Sequence, residues 1–283
     1  MPLRHGVSRL ARMPHSRTPK RLSSNQAELA LAGAPCAESL AETPAEHGDA
    51  PGAVPPPWDG AHITQSLDVG GHAVLPQLLT GAQCRQLADL YEREDIYRAT
   101  VVMARHGFGR GEYKYFAYPL PPLLEQLRAR LYPVLVPIAN RWNAMLGTGV
   151  RYPDQLDGFL ERCHRAGQQR PTPLILSYGP GDYNCLHQDL YGEHVFPLQV
   201  VILLSRPGID FSGGEFVMTE TRTGHQRADV VPLRQGDALV FAVNQRPAAG
   251  PTGRMRRLAM RHGVSRLYSG QRRTVGLIFH DAL

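Results

Sequence analysis

After residue 172 the chain becomes a series of short runs rich in β-branched or aromatic residues: Leu174–Tyr178, Leu198–Leu204, Glu215–Thr219, Val230–Leu233, Ala238–Val243 and Thr274–Phe279. Gly-, Pro- and Asp-containing turns separate them, which is the signature of antiparallel strands joined by short connections. Such spacing predicts an antiparallel sandwich or jelly roll. Before residue 172 the texture is helical. Thr80-x-x-Gln83 has the form of a capping box and opens an amphipathic helix at about 80–93. A second helical spacing over 122–146 contains Pro133 and Pro137, which predicts a kinked or split helix. The expected fold class is an all-β core with supporting helices.

Residues 1–57 are rich in Ala, Pro, Ser and charge, lack a repeating apolar face and end in Val-Pro-Pro-Pro. Such a segment buries too little to offset its ordering entropy, so a disordered basic, Pro-rich arm is expected there. A globular domain is expected over 58–283, with a helical, substrate-side part at 58–171 and a β core at 172–283. The net charge of +6 resides in the first 22 residues, which hold six basic side chains and no acid, leaving 25 basic against 25 acidic residues in the remainder. Within that remainder, 238–280 carries eight arginines and no Asp or Glu. This local basic surface is of the kind that attracts phosphate backbones. The heptapeptide Arg-His-Gly-Val-Ser-Arg-Leu occurs at 4–10 and again at 261–267, a repeat too short and isolated to signal a solenoid. Cys36, Cys84, Cys163 and Cys185 are widely separated and form no CxxC pair, which argues against a disulfide framework and fits a reducing cytoplasm. No apolar run approaches the roughly 18 residues that a membrane helix needs, and no secretory signal is read at the N-terminus, so a soluble cytoplasmic protein without membrane contact is expected.

Three side chains are candidate metal donors: His187, Asp189 and His262. Two imidazoles and one carboxylate on one face of an ion leave neighbouring positions open for a chelating cosubstrate and dioxygen, which is the requirement of an iron(II) oxygenase. Two His-x-Asp motifs occur, and His47-x-Asp49 lies in the low-complexity arm. His187-Gln-Asp189 instead follows a predicted strand and a Gly-Pro-Gly turn, and period-two alternation turns both of its donors to one side of an extended segment. A cosubstrate with a distal carboxylate also needs a fixed cation about one strand length away. Arg272, ten residues after His262, opens the strand Arg-Arg-Thr-Val-Gly-Leu-Ile-Phe, where Arg272, Thr274 and Gly276 share a face. Arg273 is the alternative anchor if the register slips by one residue.

For the substrate wall, His106-Gly-Phe-Gly-Arg-Gly-Glu-Tyr-Lys-Tyr-Phe-Ala-Tyr118 interleaves aromatics, glycines and cations. Phe108, Arg110, Tyr113 and Tyr115 can form a stacking platform for an extruded base, or the segment can be an amphipathic hairpin packed on the core.

His187-x-Asp189, Gly213-Gly214-Glu215, His262 and Arg272-x-Thr274 together resemble the 2-oxoglutarate- and iron(II)-dependent oxygenases. Tyr178-Gly-Pro180-Gly181, five residues before His187-Gln-Asp189, is similar to the AlkB nucleic-acid demethylases. Asp182 to His194, with His262-Gly-Val-Ser-Arg-Leu and Ile278-Phe-His-Asp281, resembles a bacterial family described as acting on alkylation-damaged DNA, and that likeness extends back through 98–118. The resemblance implies a double-stranded β-helix (jelly roll, cupin-like). It also implies Fe(II) held by His187, Asp189 and His262, and 2-oxoglutarate gripped by Arg272, Thr274 and Tyr178. Dioxygen is then the oxidant and damaged DNA or RNA the partner, in a repair reaction. The sequence departs from AlkB at Leu176, where those enzymes carry Asn, and at Ile278, where they carry a second Arg. Its His-to-Arg spacing of ten is closer to that of prolyl hydroxylases. Hydroxylation of a peptide or small molecule at the same iron centre therefore stays open, as does a cupin-like binding protein without turnover.

Overall fold

The computed structural model describes residues 59–190, 192–222, 225–250 and 252–283. The arm expected over 1–57, with Cys36 and the first copy of the heptapeptide, lies outside them. The N-terminal elements are α1 (Gly60–Gly70), β1 (His72–Leu75), α2 (Gly81–Asp89), β2 (Tyr97–Val102), β3 (Gly109–Arg110), β4 (Glu112–Phe116), α3 (Pro122–Leu146) and α4 (Leu156–Arg165). The β-rich remainder comprises β5 (Leu174–Tyr178), β6 (Tyr183–His187), β7 (Leu198–Leu203), β8 (Phe211–Gly213), β9 (Phe216–Arg222), β10 (His225–Val231) and β11 (Ala238–Ala242). It closes with β12 (Gln245–Ala249), β13 (Met255–Val264), β14 (Leu267–Gly270) and β15 (Arg272–Leu277).

One sheet has the order β1-β11-β7-β15-β5-β4-β2, the other β10-β9-β13-β6-β3 with β12 added against β13. From β5 onward the chain winds between them: β5, β7, β11 and β15 fall in the first sheet, and β6, β9, β10 and β13 in the second. Every pairing among these eight strands is antiparallel. That winding is a double-stranded β-helix, the jelly roll expected from the strand texture. β7 lies inside the larger sheet with all six residues buried, which explains why it is apolar apart from Gln199.

Local signals set the helices. The capping box forms: Gln83 N–H donates to Thr80 Oγ1 at 3.2 Å, and Thr80 N–H to Gln83 Oε1 at 2.9 Å. α2 then ends at Asp89 and passes into a short 3-10 turn, Leu90–Glu92, sooner than its apolar spacing suggests. α3 corrects the expectation of a split helix, because it runs unbroken across both internal prolines to a left-handed Gly147. Pro133 and Pro137 are four residues apart and share the exposed face. The buried stripe Leu124, Leu127, Leu131, Leu135, Ile138 and Trp142 continues past them, and this burial offsets the lost backbone hydrogen bonds.

The 106–118 segment is not a hairpin closed on itself. β3 pairs with β6 in the smaller sheet, whereas β4 lies between β2 and β5 in the larger one, so the segment spans both sheets at one end of the sandwich. Among the described residues no helix is long and apolar enough to cross a membrane. Cys84, Cys163 and Cys185 are free thiols.

Candidate metal centre

β6 ends at His187, and the chain turns inward to bury Asp189. His262 lies on β13, directly opposite His187 in the antiparallel pairing. Asp189 stands between the two rings: one carboxylate oxygen is 3.4 Å from His187 Nε2 and the other is 3.4 Å from His262 Nε2. One donor atom from each residue falls within 4.8 Å of the others. His187 Nδ1–H donates to the Cys185 carbonyl at 2.7 Å, which fixes the ring and turns Nε2 toward Asp189.

The charges are mutually tuned. Burial opposes ionisation of Asp189, but hydrogen bonds from the two imidazoles outweigh it and hold the carboxyl well below the usual range. Burial also opposes the charged form of His187, yet the Asp189 hydrogen bond and charge raise it above an ordinary imidazole. His262 is buried more deeply, and there burial wins and lowers it. An ion held by all three donors requires a deprotonated carboxylate and two neutral imidazoles: Asp189 and His262 are biased toward those states, and His187 would give up its proton on binding.

A cavity of about 210 Å³ opens from these donors. Leu174, Leu176, Val201, Phe216, Phe241 and Ile278 supply its apolar wall, and Arg272, Thr274 and Tyr178 line it as well. Arg272 is 2% exposed, and no carboxylate pairs with it among the described residues. Its Nε is buried without a hydrogen-bond partner, as is the Tyr178 hydroxyl beside it, and the guanidinium carbon stands 5.7 Å from the Tyr178 ring centroid. Burial pulls Arg272 down to about 10 against the opposing charge of Tyr178 and Glu215, and burial pushes Tyr178 up to about 12 despite the nearby cation. A buried cation and a hydroxyl without partners form a donor set that suits a carboxylate. Arg273 faces the other way: it donates to the Ala88 carbonyl at 2.9 Å and to Glu92 at 2.6 Å.

The substrate-wall residues divide. Tyr113 and Tyr115 line the cavity with their rings 5.3 Å apart and edge-to-face, and the Arg98 guanidinium lies 4.3 Å from the Tyr115 centroid. Phe108 borders the cavity at 48% exposure and stacks on His106. Arg110 is exposed, is absent from the cavity wall, and has Asp182 as a neighbour at 3.9 Å. Three further polar residues, Asn184, Gln188 and Gln199, line the cavity without having been singled out in the sequence. Gln188 sits between the two metal-site residues of its motif and clamps β13 by donating to the Met260 and Asn244 carbonyls at 2.8 and 2.9 Å.

Residues 111–282 match the model of the Oxygenase-NA family, described as "Oxygenase, catalysing oxidative methylation of damaged DNA". The chain belongs to this family. Two uncharacterized proteins of Mycobacterium tuberculosis, from strains CDC 1551 / Oshkosh and ATCC 25618 / H37Rv, are each 50% identical to this oxygenase over 168 residues. The match covers 59% of the chain and 72% of each relative. Among solved structures, a Pseudomonas putida prolyl-4-hydroxylase is similar with a TM-score of 0.49 and 14% identity, over 79% of this chain and 99% of that one. A Burkholderia pseudomallei oxidoreductase of the 2OG-Fe(II) oxygenase family has a TM-score of 0.47 and 16% identity, over 79% and 92%. The His-Asp-His cluster and the cavity wall both fall inside the segment matched by the Oxygenase-NA family, Phe108 excepted.

Proposed function

We propose that this oxygenase is an Fe(II)- and 2-oxoglutarate-dependent dioxygenase that removes methyl groups oxidatively from alkylated nucleic-acid bases. One observation carries the reading. The cavity that begins at His187, Asp189 and His262 also contains a buried guanidinium with no carboxylate partner among the described residues. The three donors fit a six-coordinate ion with one face left open, and Arg272, Thr274 and Tyr178 fit the far carboxylate of a dicarboxylic cosubstrate.

When bound, iron(II) with 2-oxoglutarate and dioxygen supplies oxidation of a C–H bond, the cosubstrate leaving as succinate and carbon dioxide. The protein binds, orients and shields. Cys185 O holds the His187 ring, Arg272 and Thr274 fix the cosubstrate's distal end, and Phe216, Phe241 and Ile278 keep water from the wall. Hydroxylation of an N-methyl group gives N–CH2OH, which releases formaldehyde and restores N–H on the base. We assign this activity to a catalytic unit over 58–283, with its β core at 172–283.

The family description and the surface charge support a nucleic-acid substrate. Arg254, Arg256, Arg257, Arg261 and Arg266 are all exposed, and none forms an ion pair among the described residues. Tyr113, Tyr115 and Phe108 offer π-faces at the cavity, which suits an unstacked base. Anaerobic titration with Fe(II) and 2-oxoglutarate should produce a weak visible charge-transfer band. Aerobic turnover on N-methylated oligonucleotides should release formaldehyde and succinate in equal amounts. Folded protein without the band overturns the cofactor assignment, and a band without formaldehyde from any methylated oligonucleotide overturns the substrate.

A further inference from the structure

Three carboxamides line the cavity beside the metal donors and the anion anchor: Gln188 is engaged by its clamp on β13, Asn184 stands on β6, and Gln199 alone comes from the larger sheet. Gln199 stands on β7 opposite Phe241 of β11. On its other side the β7–β15 register, with Leu277 opposite Val200, brings it to the level of Ile278. Gln199 is 6% exposed, and its Oε1 is buried with no hydrogen-bond partner. The neighbouring wall is apolar: Leu174, Val201, Phe241 and Ile278. A native core rarely leaves an amide oxygen unpaired, and the donor end of this carboxamide, Nε2, is the end nearer Gly276 in the cavity.

Its position along the strands identifies which part of a ligand it meets. Phe241 packs against His262 with ring centroids 4.6 Å apart, so its cross-strand partner Gln199 lies at the metal end of the cavity. Arg272 pairs with Tyr178 at the opposite end of β15. Between them, Thr274 and Gly276 are two residues apart on the inward face, roughly 6.6 Å along the strand. A five-carbon diacid whose far carboxylate rests on Arg272 and Thr274 has its other end near Gly276. Gln199 Nε2 is 4.0 Å from the point a Gly276 Cβ would occupy. Glycine keeps that space open, since a Cβ there would stand 2.8 Å from Leu174 Cδ2.

We propose that Gln199 is a cosubstrate-binding residue whose amide N–H donates to the 1-carboxylate of 2-oxoglutarate and holds the chelating end of that molecule beside the metal. This rests on the cosubstrate reading above. A carboxamide offers two N–H donors and one acceptor, and here Nε2, the donor end, is the one that meets the space beside Gly276. A carboxylate only accepts, so the N–H side faces it.

The test uses full-length protein loaded anaerobically with Mn(II), with calorimetric titration of 2-oxoglutarate into the wild type, Gln199→Leu and Gln199→Glu. Gln199→Leu should weaken 2-oxoglutarate binding about 10-fold, equivalent to about 1.4 kcal/mol, and leave Mn(II) affinity unchanged. Gln199→Glu should weaken it further by like-charge repulsion. In Fe(II)-loaded protein the visible band of the Leu variant should shift, because the chelate loses a hydrogen bond. A Leu variant that binds 2-oxoglutarate within twofold of wild type overturns the proposal, and so does one that loses only oligonucleotide binding. If the Leu variant lacks a cooperative melt, Gln199→Met carries the same expectations. A wild type that binds Mn(II) but no 2-oxoglutarate overturns the cosubstrate reading itself, a result distinct from equal binding by wild type and variant.

Discussion

Asp189 is shared by two imidazoles, and that sharing sets how the centre responds to protons. His187 holds its proton more tightly than a free imidazole, so an incoming ion competes with that proton. Metal affinity should therefore rise as pH increases through the ordinary imidazole range and level off only above it, in Mn(II) titrations between about pH 5.5 and 8.5. Asp189→Ala removes the carboxylate donor and should lower Mn(II) affinity by at least about 100-fold, without preventing folding, since the two rings remain. At this scale the His-x-Asp spacing marks the candidate metal donors, although strand alternation is not what unites them: β6 ends at His187, and the turn beyond it buries Asp189. Strand alternation in the sequence also puts Arg272 and Thr274 on one face, and both line the cavity. Gln199 has no such local mark, because it is one glutamine inside the run Leu198–Leu204, and its place in the cavity is set by strands that meet it from far along the chain.

Among the elements, the C-terminal segment is tied to the helices by buried charge. Arg128 of α3 donates to the Ile278 carbonyl at 2.9 Å and to Asp281 at 3.1 Å, and His164 of α4 reaches the other Asp281 oxygen at 2.9 Å. Arg128 and Asp281 are nearly inaccessible to solvent. Asp281→Asn leaves the guanidinium buried without its counter-charge and should cost about 3 kcal/mol in urea unfolding. Thr80→Ala removes a capping-box oxygen from α2 and should cost about 1 kcal/mol in the same measurement. The capping box was legible because its partners are three residues apart. The β13 strand was harder to read: its arginines looked like a charged surface, although Leu258, Met260, His262 and Val264 alternate inward beneath them. The 106–118 segment divided between sheets for a similar reason, since β3 and β4 take partners 59 to 75 residues ahead, in β6 and β5.

For the whole molecule, the exposed arginines of β13 and Arg266 lie close in sequence to the candidate donor His262 but do not line its cavity, so their part in substrate binding can be tested apart from catalysis. Changing Arg257, Arg261 and Arg266 together to Gln should weaken single-stranded oligonucleotide binding. It should also reduce the slope of log affinity against log salt by about 0.7 for each phosphate that these side chains neutralise, with 2-oxoglutarate binding unchanged. An unaltered slope would remove these side chains from the interface. The centre itself is divided between the two layers: the two candidate imidazoles belong to the smaller sheet, with Asp189 just beyond β6, and the guanidinium and its hydroxyls to the larger. A dicarboxylate bound between them would therefore act as a strut across the sandwich. Any loosening that lets the layers drift apart breaks that strut while the imidazoles still face each other on adjacent strands, so the enzyme should lose its fuel before it loses its metal.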